Sequence, residues 1–266
     1  MEITISLAQF KPTLSVEANL QKMLELVFSS KKENDIMVMP EGCLSGYSDR
    51  FDFLTQKVAR DVEKAIVKLQ AVSKKHQLHL IFGSCIFEDG DWYNAGLYIS
   101  PSGNKQIYKK VNLAMHERDF FKAGKELSCF HLELGEKKVK VAIQLCREIR
   151  FPEQWKLLSL NGAELIFYLT NVIGHEKLAI WNAHLISRAA ENQRFIISSN
   201  IAHEEQGCSS MVVSPSGKVI KQLNSIEETV ERIHVDLMEV SNWYLSQSRT
   251  DLVSVEKMTS NPRRSI

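Results

Sequence analysis

The stretch KVKVAIQLCREIRFPE, residues 138–153, decides how the chain is read. An apolar run stops at Cys146, charges follow at Arg147 and Glu148, and Pro152 opens the next helix. A buried strand that turns directly into a helix is the unit of an α/β fold. It also leaves a question, because Cys146 at the strand end can be a nucleophile, a metal ligand or a core thiol.

Working outward, the same alternation recurs. ITISLAQ (3–9) reads as a strand, and Val16, Leu20, Met23 and Val27 form one helical stripe after a Ser15 cap. DIMVMPE ends a short apolar strand at Pro40, and a helix over 57–76 carries Val58, Val62, Ala65, Leu69 and Val72 on one face. LHLIFG, GLYISPSG, ELIFYLT and RFIISSN read as further strands, with a helix over 178–192. Strands of this kind need helical cover on their outer faces, so the economical architecture is α/β in four layers, α-β-β-α. SSMVVSPSGKVI repeats the strand, turn and strand of GLYISPSGNKQI, which suggests two similar half-units. Glu41 and Cys146 then read as matching strand ends. No Gly/Pro/Ser-rich linker divides the chain, so residues 1–266 are expected to form a single domain with a looser C-terminal arm from about 236.

A formal charge of +1 gives no bulk attraction to nucleic acid or anionic lipid. The one basic cluster, NPRRSI, reads as an exposed tail. The start lacks a signal-peptide pattern and no stretch reaches the roughly 20 apolar residues of a membrane helix, so a cytoplasmic protein is expected. Five scattered cysteines at 43, 85, 129, 146 and 208 fit neither a disulfide framework nor a zinc site.

Strand ends are where α/β folds tend to present reacting groups. Here they offer Glu41, Lys110 and Cys146. Such a set suits acyl transfer from an amide: a thiol attacks, a carboxylate accepts its proton, and an ammonium stabilises the oxyanion. Taken singly, each has a plainer reading, as a core thiol, a surface lysine and a first-turn carboxylate.

The ordered segments MPEGCLSGY around Glu41, YKKVNL around Lys110, ERDFFKAG around Glu117 and VAIQLCREIRFPE around Cys146 together resemble the carbon-nitrogen hydrolase family, the nitrilase superfamily. The resemblance covers nearly the whole chain and departs from the family pattern at Asn112, where a histidine is usual. It implies a four-layer α-β-β-α sandwich of the nitrilase type and a Glu41-Lys110-Cys146 triad with Glu117 in support. It also implies chemistry without metal or organic cofactor, and a homodimer or higher homo-oligomer.

The implied activity is an amidase that hydrolyses a small amide through a cysteine thioester and releases ammonia. The alternatives are an N-carbamoyl amine hydrolase, a nitrilase, or a catalytically silent binding member. Arg147 stands where the family often has an aromatic residue, either facing the substrate or pairing with Glu148 or Glu153 at a dimer surface. Phe120, Thr170, Asn171 and His175 are the other expected substrate contacts. Cys43, two residues beyond Glu41, reads as a packed thiol.

Overall fold

The computed structural model describes residues 1–30 and 36–248. The basic end therefore lies outside the described residues, as does most of the expected C-terminal arm. Residues 138–145 fold as read: β7 (Lys137–Leu145) aims Val139, Val141, Ile143 and Leu145 at an inter-sheet core, and Cys146 begins a 3-10 turn.

Two six-stranded sheets form. In the first, β12 (Thr229–Asp236), β1 (Glu2–Gln9), β2 (Ile36–Val38), β3 (His79–Glu88), β4 (Asp91–Ile99) and β5 (Lys105–Lys109) lie side by side. In the second, β6 (Cys129–Leu134), β7, β8 (Leu165–Leu169), β9 (Phe195–Ser199), β10 (Met211–Val213) and β11 (Val219–Gln222) follow the same plan. Each sheet has one antiparallel edge pair, two parallel pairs and two antiparallel pairs, in that order.

The parallel steps require crossovers, and helices supply them. Helices α1 (Val16–Ser30) and α2 (Gln56–His76) serve the first sheet; α3 (Pro152–Leu160) and α4 (Leu178–Asn192) serve the second. The Ser15 hydroxyl accepts from the Ala18 N–H at 3.4 Å, the cap that the sequence suggested.

Three apolar clusters define the layers. Ile5, Val38, Ile81 and Tyr98 meet Val141, Ile143, Phe167 and Ile197 between the sheets. Leu20, Met23, Val27, Val62 and Leu69 cover the first sheet from outside, while Trp155, Leu158, Trp181 and Leu185 cover the second. The result is the expected α-β-β-α sandwich. A Cβ at Gly96 would lie 2.5 Å from Ile143 Cγ2, so the sheets approach too closely there for any side chain.

The half-unit reading holds in outline and needs one correction. The two PSG turns are equivalent, after β4 and after β10. Glu41 and Cys146 are not: Cys146 follows β7 as Phe10 follows β1, and Glu41 follows β2 much as Thr170 and Asn171 follow β8. Strands β6 and β12, which close one edge of each sheet, have no counterpart in the sequence reading.

Candidate active site

Four strand ends converge, two from each sheet. Glu41 lies in the turn after β2, Lys110 follows β5, Cys146 follows β7, and Thr170 and Asn171 follow β8. Glu117 comes from a 3-10 turn, Met115–Glu117, whose Ala114 N–H donates to Glu117 Oε2 at 2.6 Å. Glu41, Lys110 and Glu117 are fully buried, whereas Cys146 is partly exposed.

Lys110 Nζ donates to Glu41 Oε1 and to Glu117 Oε1, each at 3.0 Å. An ammonium has three N–H groups, so one is left for a ligand. Asn94, inside β4, repeats the bridge from the other side: its Nδ2 donates to Glu41 Oε1 at 2.8 Å and to Glu117 Oε1 at 2.7 Å. Tyr47 donates its hydroxyl to Glu117 Oε1 at 2.7 Å and lies 3.0 Å from His116 Nε2. The Asn171 backbone N–H donates to Glu41 Oε2 at 3.1 Å.

These contacts separate the two glutamates. Burial pushes both carboxyls up and Lys110 pulls both down. Glu117 also collects the Ala114 N–H, Tyr47 and Asn94, and is held below the usual carboxylate range. Glu41 has fewer donors, feels the charge of Glu117, and stays raised. Burial lowers the Lys110 ammonium's pKa, but the two carboxylates outweigh this and leave it raised, firmly charged.

Cys146 sits at φ +40°, a conformation that costs a residue with a Cβ about 1–2 kcal/mol. The turn is pinned by the Tyr168 hydroxyl, which donates to the Cys146 carbonyl at 2.6 Å and accepts from Trp181 Nε1 at 3.1 Å. Tyr168 is thus a core residue with a fixed polar end, as packing alone would suggest. Burial first, then the charge of Glu41, pushes the thiol up to about 12, against Lys110 and the Thr170 hydroxyl. Lys110 alone would favour the thiolate, but burial and the charge of Glu41 outweigh it. The resting group is a thiol near the Glu41 carboxyl.

Residues 4–244 match the carbon-nitrogen hydrolase family. The chain belongs to that family. Among relatives of this carbon-nitrogen hydrolase is a 2-oxoglutaramate amidase from Bacillus subtilis, 30% identical, with 90% of this chain and 93% of that protein covered. A probable nitrilase from Schizosaccharomyces pombe is 28% identical over 89% of this chain and 90% of its own length. Among solved structures, an amidase from Nesterenkonia sp. superposes with a TM-score of 0.78 at 20% identity, covering 95% of this chain and 94% of that one. A nitrilase-superfamily member from Saccharomyces cerevisiae gives 0.76 at 20% identity, covering 94% and 95%.

The expected substrate contacts of this hydrolase fall in different places. Thr170 is buried beside the Cys146 thiol, and its Oγ1 has no conventional hydrogen-bond partner among the described residues. Asn171 reaches Glu41 through its backbone N–H. Phe120 is partly exposed and stacks on Phe51 at 5.2 Å, in an aromatic group that includes Trp92 and His116. His175 is exposed in a 3-10 turn before α4.

Arg147, the residue after Cys146, is exposed and forms no ion pair among the described residues. Its expected pairing with Glu148 does not form, because Glu148 points inward and its oxygens are taken by other donors. Cys43 is fully buried with its thiol pushed up to about 12, so it is inert packing. Sequence reading missed Tyr47, Asn94 and Glu148. Tyr47 lay in plain view in the quoted MPEGCLSGY segment; nothing local marked Asn94. Among the described residues no group of three or more His, Cys, Asp or Glu is placed to hold a metal, and no helix is long and apolar enough to cross a membrane.

Proposed function

We propose that this domain is an amidase that hydrolyses a small amide through a thioester on Cys146, with Glu41 as general base and acid, Lys110 as oxyanion donor and Glu117 in support. The observation that carries the reading is the split between two glutamates on one lysine: Glu117, whose charge has more hydrogen-bond donors, anchors Lys110, and the more basic Glu41 moves protons.

Glu41 takes the thiol proton as Sγ attacks the amide carbon. Negative charge on the carbonyl oxygen meets the remaining N–H of Lys110 and the backbone N–H of Arg147. Glu41 then gives the proton to the departing nitrogen, and ammonia leaves. The same carboxylate next takes a proton from water, the hydroxide attacks the thioester, and Glu41 returns the proton to Sγ as the acid product forms. Each half-reaction restores the charge it began with.

A narrower reading, a monoamide of a dicarboxylic acid, has two supports. Arg147, the residue after Cys146, is exposed and forms no ion pair among the described residues, which leaves its guanidinium available to a substrate carboxylate. The Bacillus subtilis relative is by name an amidase of 2-oxoglutaramate. A homodimer built on the outer helices is part of the same reading. Trp155, Trp181 and Leu185 are used up in covering the second sheet, while Leu157, Leu160, Ile180 and Ile186 remain exposed on α3 and α4.

The test is ammonia release by the protein and its Cys146→Ala variant from four groups: acidic monoamides, neutral amides, N-carbamoyl amines and nitriles. Cys146-dependent ammonia from amides is the expected result. Release only from N-carbamoyl amines or nitriles would move the enzyme to another branch. Silence from folded protein with a titratable thiol would favour a binding role.

A further inference from the structure

Glu148 follows Cys146 by two residues and has no part in the chemistry proposed above. It is fully buried, yet no cation pairs with it among the described residues. Its oxygens are instead held by four neutral donors. Oε1 accepts from the Tyr108 hydroxyl at 2.7 Å, the Val111 N–H at 2.8 Å and the Asn112 N–H at 3.2 Å. Oε2 accepts from the Leu145 N–H at 2.8 Å. Burial raises this carboxyl, and the Tyr108, Leu145 and Asn112 donors, with the charge of Lys110 behind them, oppose the rise.

An unpaired buried carboxylate opposes folding unless its donors are well placed, so what the four donors have in common matters. Leu145 immediately precedes Cys146, at the end of β7 in the second sheet. Val111 and Asn112 immediately follow Lys110, and Tyr108 lies on β5 in the first sheet. The two oxygens thus grip the chain on either side of the inter-sheet gap, next to the nucleophile and next to the lysine.

The other ties on the nucleophile turn do not do this. The Tyr168 hydroxyl, which accepts from Trp181 Nε1, donates to the Cys146 carbonyl, and Trp155 Nε1 donates to the Glu148 carbonyl at 3.0 Å; all three side chains belong to the second sheet or its helices. Gln144 extends the cross-link by donating to the Tyr108 hydroxyl at 3.1 Å.

We propose that Glu148 is a positioning residue that fixes the strained turn carrying Cys146 against the strand end carrying Lys110, and so sets the distance between nucleophile and oxyanion donor. The inference rests on the reading that these two residues serve one reaction. A displacement of about 1 Å at a reacting centre can cost about a hundredfold in rate. Glutamine at 148 keeps the length but turns an NH2 group toward N–H donors, so one side of the grip must open.

The experiment measures kcat, KM and melting temperature for Glu148→Gln, Glu148→Asp and Tyr108→Phe, with Cys146→Ala alongside, on an amide turned over by the unmodified protein. Glu148→Gln should lose about thirty- to a hundredfold in kcat, with KM changed less than about threefold. Glu148→Asp, which keeps the charge, should recover part of the loss. Tyr108→Phe removes one donor and should lose about five- to tenfold. Iodoacetamide labelling of Cys146 should slow in parallel with kcat. Full activity in Cys146→Ala would overturn the proposed reaction itself. An inactive Cys146→Ala beside folded Glu148→Gln and Tyr108→Phe with undiminished kcat would overturn only the role of Glu148. If Glu148→Gln does not fold, Tyr108→Phe decides alone, and undiminished kcat there would overturn it.

Discussion

Glu41 and Glu117 turn the same oxygen, Oε1, toward the same two donors, Lys110 Nζ and Asn94 Nδ2, at distances between 2.7 and 3.0 Å. Two carboxylates sharing one cation cannot be equivalent once their other contacts differ, and here they differ by Tyr47 and the Ala114 N–H on one side and the Asn171 N–H on the other. The less stabilised charge is the one able to accept a proton.

That asymmetry makes the pH profile informative. Glu41 must be ionised to accept the thiol proton, so kcat/KM should fall as pH drops through its raised pKa. Glu117→Gln removes the neighbouring negative charge that helps raise Glu41. The acid limb should therefore move to lower pH in Glu117→Gln even as kcat falls about ten- to a hundredfold, while Glu41→Gln should lose at least about a hundredfold at every pH. An acid limb that stays in place in Glu117→Gln would contradict the coupling.

Gly83 should be intolerant of substitution for a reason far from catalysis in sequence. A Cβ built there would lie 2.4 Å from Glu41 Cα and 2.6 Å from the Gly42 nitrogen, both backbone atoms that cannot swing away. The Gly83 N–H also donates to the Pro40 carbonyl at 2.9 Å. Gly83→Ala should displace the Glu41 turn, lowering kcat about a hundredfold and stability by about 1–3 kcal/mol. Kinetics and urea unfolding on the same variant measure both.

The contrast between Gly83 and Cys146 shows where the sequence is legible. Cys146 announces itself because an apolar strand stops on it, and Glu41 because Pro40 ends another. Gly83 lies within an ordinary strand, and its role depends on which turn packs over it. Asn94 and Glu148 are hidden for the same reason: a polar residue in or beside a buried strand has meaning only through partners from other strands, whose register local periodicity does not set. The four-layer class follows from buried strands that demand helical cover. Edge strands β6 and β12 escape because His131, Glu133, Glu231 and Arg232 dilute their apolar pattern.

His79 gives the fold its own pH dependence, away from the site. It is buried at the start of β3, with Nδ1 2.9 Å from the Tyr98 hydroxyl and its ring stacked on Tyr98, which stacks in turn on Phe130 across the sheets. Burial lowers its pKa from 6.5 to about 4. The unfolded chain therefore binds a proton between these values and the folded one does not. Stability is complete above about pH 6.5 and falls as pH drops toward 4, by at most roughly 3 kcal/mol. Urea unfolding at pH 7.5 and pH 5 should show this loss, and His79→Phe, though less stable at pH 7.5 for want of a partner for Tyr98, should show a smaller difference between the two.

Arg147 provides the sharpest discrimination among substrates. Among the described residues its side chain forms no ion pair with the carboxylates expected to hold it, and the oxyanion role proposed for its backbone N–H does not depend on the side chain. Removing the side chain therefore leaves the chemistry in place and takes away only a charge-assisted contact, worth about 1.5–3 kcal/mol when well aligned. Arg147→Ala should raise KM about ten- to a hundredfold for amides bearing a distal carboxylate, with kcat little changed, and should leave neutral amides of similar length as they were. An equal effect on both would mean that the guanidinium acts through the fold or a subunit contact and not through the substrate. Arg147→Lys separates the two further: a point charge in place of the planar fork should recover part of the acidic-amide KM if the contact is with substrate.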